Sequence, residues 1–94
     1  MASGVEIITF ERQRQIDQEG WTAEHDDEHV HGELAAAAVC YAMYADPDGA
    51  GECADDFWPW DSSWWEPSDD PIRNLARAGA LIAAEIDRRV RAES

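Results

Sequence analysis

Three stretches of the chain carry apolar residues at helical spacing, separated by polar segments. In the first, Ser3 and Glu6 have the spacing of a capping box, which predicts a helix that begins near residue 4, and Thr9 offers a later start. Gly20 is typical of a helix end, and Trp21 directly after it is placed to pack back onto that end. One stripe of this helix contains Val5, Ile8, Arg12 and Ile16.

A second helix is predicted to begin near Asp26 or Asp27, because either aspartate suits an N-cap. Four consecutive alanines, Ala35–Ala38, favour helix strongly and permit close packing. The run 46–49 contains aspartate, proline and glycine, which are typical of a turn and predict the end of the helix. The apolar positions at helical spacing in this stretch are Val30, Leu34, Ala37, Ala38, Tyr41 and Ala42.

The third helix is predicted to begin at Asp70 and Pro71, an N-cap followed by proline at the first helical position. Apolar residues then recur at intervals of three and four residues, which predicts a short heptad-like seam. Gly79 lies within this seam and would let another helix approach closely. The seam consists of Ile72, Leu75, Gly79, Ile82 and Ile86.

The segment 46–70 between the second and third helices is irregular but rich in aromatic residues. Proline, glycine, serine and aspartate dominate it, yet it also contains Phe57, Trp58, Trp60, Trp64 and Trp65. A flexible linker would not hold so many tryptophans, so we expect an ordered loop that packs on the helices. The predicted fold is therefore mainly α, a single domain over residues 1–94 with three helices and no strand.

Charge is distributed unevenly along the 94 residues. The chain contains 21 acidic residues and seven arginines and carries a net charge of −14. Sixteen of the acids lie between Asp17 and Asp70, and no arginine or lysine lies between Gln15 and Ile72. Such a chain repels phosphate backbones and anionic lipid, so direct nucleic-acid binding is not expected. A basic protein surface is the expected partner.

No apolar run is long enough to span a membrane, and no signal peptide is predicted, so we expect a cytoplasmic protein.

Two groups of residues have the chemistry of a metal site. His25 and His29 are four residues apart, and with Glu33 they would share a helical face that could bind Zn²⁺ or Ni²⁺. The alternative interpretation is an acidic helix start with solvated histidines, and no cofactor is expected.

Carboxylates on two predicted helices could instead hold Mg²⁺ and activate water on a phosphate chain. These are Glu24, Asp27, Glu28 and Glu33 on or before helix two, and Glu85 and Asp87 on helix three. This set resembles MazG-type all-α nucleotide pyrophosphohydrolases, and the resemblance implies nucleotide hydrolysis.

The tryptophans of the loop have two interpretations. Trp58, Trp60, Trp64 and Trp65 could form a stacking platform for a base or a sugar. They could also form a lid that supplies bulk to an alanine-rich core. Both hold if one or two of the rings face outward.

Several segments together resemble a family of small uncharacterised phage and prophage proteins. The resemblance covers residues 11–16, 19–34, 58–65 and 78–86, with Gly20-Trp21, Trp58-Pro59-Trp60 and Trp64-Trp65 among its motifs. It implies a short accessory protein that acts on a host or phage component inside a bacterial cell. Gly20-Trp21 followed by Asp26-Asp27 is also similar to bacterial RyR-type repeat domains.

The leading functional hypothesis is a non-enzymatic binding or inhibitor protein. Its acidic surface would imitate a nucleic-acid backbone and act on a basic host or phage protein, for example in anti-defence, and a homodimer is possible. The alternative is a nucleotide-binding or metal-dependent nucleotide-hydrolysing domain. The candidate binding residues are Trp21, Glu24, Asp26, Asp27, Glu33, Asp55, Asp56, Trp58, Trp60, Trp64 and Trp65.

Overall fold

The computed structural model describes residues 1–45 and 57–93. Within them the chain forms four α-helices and no strand, which confirms the predicted mainly-α class. The helices are α1 (Gly4–Asp17), α2 (Ala23–Asp27), α3 (Glu33–Tyr44) and α4 (Pro71–Ala92), with a 3₁₀ turn at Ser62–Trp64 before α4. Among the helices in these two ranges, none combines the length and apolar content that crossing a bilayer requires.

The first and last of these helices begin where the capping residues predict. The Ser3 hydroxyl accepts a hydrogen bond from the Glu6 backbone N–H at 3.2 Å, and the Ser3 N–H donates to the Glu6 carboxylate at 3.2 Å. This reciprocal pair satisfies two of the N–H groups that a helix start leaves unpaired. At α4 the Asp70 carboxylate accepts from the Ile72 N–H at 3.0 Å, and Pro71 is the first helical residue. Both predicted starts are confirmed.

The predicted second helix is wrong at its beginning, because the chain forms two helices there. Thr22, rather than Asp26 or Asp27, is the N-cap of α2, and both aspartates lie inside that helix. Gly32 has φ +83°, a left-handed value that suits a residue without Cβ, and α3 begins immediately after it. Val30 therefore lies in the turn between α2 and α3 and is exposed, instead of extending the apolar face of one longer helix.

The core is small and rich in alanine. Ala37 and Ala38 of α3 meet Ala78 and Ala84 of α4, and such short side chains let the two helices pack closely. The bulk comes from larger neighbours, which confirms that the described part of the tryptophan-rich loop, residues 57–70, packs on the helices. The rest of that loop, including the turn predicted at 46–49, lies outside the described residues. The cluster also contains Leu34, Tyr41 and Leu81, and Trp21, Trp58, Trp60 and Trp65 pack against it.

A buried asparagine holds the end of the loop against α4. The Asn74 amide donates to the Ser68 carbonyl at 2.7 Å, and the Ser68 N–H donates to the Asn74 side-chain oxygen at 2.8 Å. Asn74 is almost completely buried, so these two hydrogen bonds satisfy polar atoms that water does not reach. The loop therefore reaches α4 in a fixed position.

The seam predicted on α4 is used at one position only. Ile8 of α1 packs directly on Gly79, where an added Cβ would lie 2.6 Å from the Ile8 Cδ1 atom. This confirms the predicted close approach at Gly79. The other four seam residues remain 49–61% exposed, because α4 turns its alanines, Leu81 and Asn74 toward the core instead. These exposed residues are Ile72, Leu75, Ile82 and Ile86.

Candidate functional site: an aromatic pocket with acidic residues in its wall

Four tryptophans and two histidines line a pocket of about 440 Å³. Its wall is built from the connection between α1 and α2, from α2 with the turn that follows, and from the loop around residues 58–64. A volume of this size lies in the range of small-ligand sites. The lining residues are Glu19, Trp21, His25, His29, Trp58, Trp60, Asp61 and Trp64.

The loop side of the pocket continues the aromatic part of the core. Trp58 makes edge-to-face contacts with Trp60 and Trp65, with ring centroids 5.3 and 4.9 Å apart. Trp65 in turn lies 4.8 Å from the buried ring of Tyr41. The Trp58 indole N–H also donates to the Asp61 carbonyl at 3.0 Å, which closes the turn at that edge. The indoles are therefore held by packing before any ligand arrives.

The helical side of the pocket is a second row of rings. Trp21 stacks parallel to His25 at 5.6 Å, and His25 meets the edge of His29 at 4.8 Å. His29 reaches across to Trp60 at 5.2 Å, so the two sides of the pocket join. The spacing of four residues places both histidines on one side of the chain even though α2 ends at Asp27.

Carboxylates orient both histidine rings. The Nδ1 atom of His25 lies 3.0 Å from Asp26, and that of His29 lies 3.4 Å from Glu33. The Glu33 carboxylate also accepts from the His31 N–H at 2.6 Å. Burial works against ionisation of Glu33, but hydrogen bonds from its own N–H, from His31 and from His29 lower its pKa overall. Glu33 is therefore a positioning residue behind the pocket and not part of its wall.

A buried ion pair anchors α2. Asp26 is completely buried, and its carboxylate accepts from the Arg12 guanidinium at 2.7 Å. Its other oxygen faces His25, so one side chain links α1, α2 and the pocket wall. On the outer side of α2, Asp27 accepts from Arg91 of α4 at 2.7 Å. The arginines at the two ends of the sequence thus neutralise acids of its middle.

Two carboxylates contribute to the pocket wall. Asp61 accepts hydrogen bonds from the backbone N–H and side chain of Ser63, which lower the pKa of Asp61 below its ordinary value. Glu19 is part of the same wall and accepts from Arg14 at 2.9 Å. None of the described residues that line the pocket is an arginine or a lysine. The wall therefore combines indole faces with negative charge.

The predicted binding residues separate into distinct environments. The pocket brings together Trp21, Trp58, Trp60 and Trp64, along with both histidines. Trp65 packs on Tyr41 and the core, and Glu24 is exposed on α2. Asp26, Asp27 and Glu33 are bound to Arg12, Arg91 and His29 behind or beside the pocket. Asp55 and Asp56 lie outside the described residues.

Sequence reasoning missed Glu19 and Asp61 as pocket residues. The only signal was adjacency, because Glu19 precedes Gly20-Trp21 and Asp61 follows Trp60 directly. Adjacency alone does not show that both side chains face one cavity. That result depends on the contact between His29 and Trp60, which lie 31 residues apart in the sequence.

Three of the six carboxylates proposed for Mg²⁺ have partners within the chain, namely Asp27, Glu33 and Glu85. Glu85 accepts from Arg88 and Arg89 at 2.7 and 2.9 Å. These hydrogen bonds outweigh the effect of burial and lower the pKa of Glu85 to about 2. In the ranges 1–45 and 57–93, no group of three or more histidine, cysteine or acidic side chains has the arrangement of a metal site. His25, His29 and Glu33 lie near one another, but their contacts with each other orient the rings. His25 meets the edge of His29, and the Nδ1 atom of His29 lies 3.4 Å from Glu33.

Compared with known protein families, curated proteins and solved structures, the chain matches none of them. The similarity to phage proteins and to RyR-type repeats therefore stays a prediction. The pocket and the charge are the features of the chain that bear on its function.

Proposed function

We propose that this is a non-catalytic binding protein whose aromatic pocket receives an arginine side chain from a basic protein partner. The observation that carries the proposal is the composition of the pocket wall. Four indoles, the Asp61 carboxylate and the Glu19 carboxylate, which is paired with Arg14, line one cavity, and none of its described lining residues is an arginine or a lysine.

Indole faces attract cations because the ring carries negative potential above and below its plane. One such contact contributes roughly 0.5–2 kcal/mol, more when water is excluded. A guanidinium group is planar, so it can stack on an indole face while its N–H groups donate to a carboxylate. The pocket supports both interactions, with Trp21, Trp60 and Trp64 as faces and Asp61 as an acceptor.

The charge of the whole chain supports the same class of partner. A net charge of −14 steers basic surfaces toward the protein and speeds association. Charge alone gives little affinity, since exposed ion pairs are weak. The pocket supplies the apolar anchor that a stable complex needs. The sequence also predicts an inhibitor whose acidic surface imitates a phosphate backbone. That hypothesis has the same basic protein partner and does not specify the pocket.

The nucleotide-hydrolysing alternative has less support. A phosphate chain in the pocket would face Glu19 and Asp61 and would meet no arginine or lysine. The carboxylates of α4 that were assigned to Mg²⁺ include Glu85, which is bound by two arginines. A cationic ligand fits the electrostatics of the site and a nucleotide opposes them.

Isothermal titration with a short arginine-rich peptide tests the proposal. We expect binding at ~0.1 M salt that weakens strongly toward 1 M, because the Debye length falls from about 10 Å to about 3 Å. Trp60→Leu should weaken binding about tenfold, the loss of one good cation–π contact. Phe10→Leu removes an exposed aromatic ring on α1 that does not line the pocket and serves as the control. Equal affinity for wild type and Trp60→Leu would refute the role of the pocket.

A further inference from the structure

The two histidines of the pocket wall each hold one ring nitrogen against a carboxylate. The Nδ1 atom of His25 lies 3.0 Å from Asp26, and that of His29 lies 3.4 Å from Glu33. A neutral imidazole has one N–H group, and an ionised carboxylate can only accept, so each neutral ring carries its hydrogen on Nδ1. The Nε2 atom on the far side of each ring then has a lone pair.

Protonation reverses what these rings offer to a cation in the pocket. Both rings line the cavity with their centroids 4.8 Å apart. The side chains of His25 and His29 are 31% and 18% exposed, so water reaches both. A neutral ring accepts a hydrogen bond at Nε2 from a guanidinium N–H group. A protonated ring has an N–H group and a positive charge instead, so it repels the guanidinium.

We propose that the pocket is a pH-sensitive cation site, in which protonation of His25 and His29 releases the bound arginine side chain. This inference rests on the proposed function, since it concerns the regulation of the same site. Binding and protonation are thermodynamically linked, because the bound guanidinium favours neutral rings. Binding of the arginine therefore releases protons, and its affinity falls as the pH falls from about 8 to about 5, the range in which imidazole titrates.

The charges in the pocket wall do not cancel those of two protonated rings. Glu19 is bound to Arg14, so Asp61 and the two rings set the charge that a ligand meets. Hydrogen bonds from Ser63 lower the pKa of Asp61, so Asp61 stays ionised while imidazole titrates. The ligand therefore meets a negative charge beside neutral rings and a net positive charge beside protonated ones.

The carboxylates behind the rings already face arginines. Asp26 is bound to Arg12 of α1, and Glu33 interacts electrostatically with Arg88 of α4. Arginine keeps its charge throughout this range of pH. Neither carboxylate is therefore free to neutralise the charge that protonation adds to a ring. Other charged groups of this segment are Asp27, which is bound to Arg91 of α4, and the exposed Glu24 and Glu28.

Calorimetric titration at constant ionic strength tests the pH dependence. The probe is a short arginine-rich peptide with blocked termini and without histidine or acidic residues, so that the peptide itself does not titrate. We expect its affinity to fall at least ~10-fold from about pH 7.5 to about pH 5.5. At about pH 6.5, two buffers of different ionisation enthalpy should give different apparent binding enthalpies, because binding releases protons.

Matched variants assign the effect to the two rings. The double variant with His25→Gln and His29→Gln has no group that takes up a proton at these positions, so its affinity should be the same at both pH values. His31→Gln is the control, because His31 is exposed, does not line the pocket and is the only other histidine of the chain. This control should keep the full ~10-fold response. Near-ultraviolet circular dichroism at both pH values checks that each protein is folded.

The outcomes separate this inference from the proposed function. Wild-type binding that is equally tight at both pH values, or a full pH response in the double variant, would overturn the role of the histidines and leave the arginine pocket standing. Equal apparent enthalpies in the two buffers would exclude proton release and contradict the inference in the same way. If the peptide does not bind at the higher pH, the proposed function and this inference both fail.

Discussion

The buried pair of Asp26 and Arg12 is the contact on which the helical side of the pocket depends. Asp26 is 0% exposed, and its carboxylate lies 2.7 Å from Arg12 and 3.0 Å from His25. Asp26→Ala would leave the Arg12 guanidinium without its partner in a mostly buried position. Breaking a buried pair in this way costs about 3–5 kcal/mol.

That cost is large for a domain of this size. A chain of 94 residues has a total stability of roughly 5–14 kcal/mol. Each kcal/mol shifts the melting temperature of such a domain by about 4–8 °C. We therefore expect Asp26→Ala to lower it by at least ~12 °C, with loss of the near-ultraviolet circular dichroism of the tryptophans. Asp17→Ala, an exposed change on α1, should alter stability by less than ~0.5 kcal/mol.

Urea unfolding of four proteins measures the pair itself. Wild type, Asp26→Leu, Arg12→Leu and the double variant form a double-mutant cycle, and residues in contact give coupling energies of about 0.5–3 kcal/mol. We expect the double variant to be more stable than Asp26→Leu alone, because no unpaired charge remains. Additive effects, or a cost below ~1 kcal/mol for Asp26→Ala, would refute the conclusion that this pair holds α2.

Two further predictions concern α4. The pKa of Glu85 is lowered from 4.5 to about 2 by Arg88 and Arg89. Ionised Glu85 therefore contributes on the order of 1–3 kcal/mol to the free energy of unfolding. This contribution is fully present above pH 4.5 and is lost as the pH falls toward 2. Urea unfolding between pH 6 and 2 should show this loss, and Glu85→Gln should remove that part of the pH dependence. Gly79→Ala should destabilise the wild type, because overpacking against Ile8 costs about 1–3 kcal/mol and exceeds the helix-propensity gain of about 1 kcal/mol. In an Ile8→Ala background, Gly79→Ala should instead raise the melting temperature. If Gly79→Ala still lowers the melting temperature in that background, the contact between Ile8 and Gly79 is contradicted.

Local signals predicted the parts of the fold that local physics determines. Ser3 with Glu6, and Asp70 with Pro71, identify the starts of α1 and α4 because each cap involves residues within four positions. The predicted start of the second helix is wrong because Asp26 and Asp27 are good N-caps in isolation. Their roles are set by partners far away in the sequence, Arg12 on α1 and Arg91 on α4.

The candidate site was predicted in composition but not in arrangement. The density of tryptophan in segment 57–65 indicated ordered aromatics, and the structure places three of them in the pocket. The sequence did not show that His25 and His29 would join that wall, because the contact of His29 with Trp60 crosses 31 residues. It also did not show which side of α4 would face the core, since alanines and isoleucines both recur at helical spacing. The alanines face the core because their short side chains let α3 and α4 pack closely.

The most direct test of the proposed function is the binding of one arginine side chain at the indoles of the pocket. Indole N–H signals in the ¹⁵N-labelled protein can be followed by NMR during titration with a short peptide that contains one arginine. The matched control is the same peptide with citrulline, which has nearly the same shape but no charge. We predict that arginine shifts the signals of Trp21, Trp60 and Trp64 and that citrulline leaves them almost unchanged. Equal shifts with both peptides, or shifts confined to tryptophans outside the pocket such as Trp65, would contradict recognition of a cation at this site.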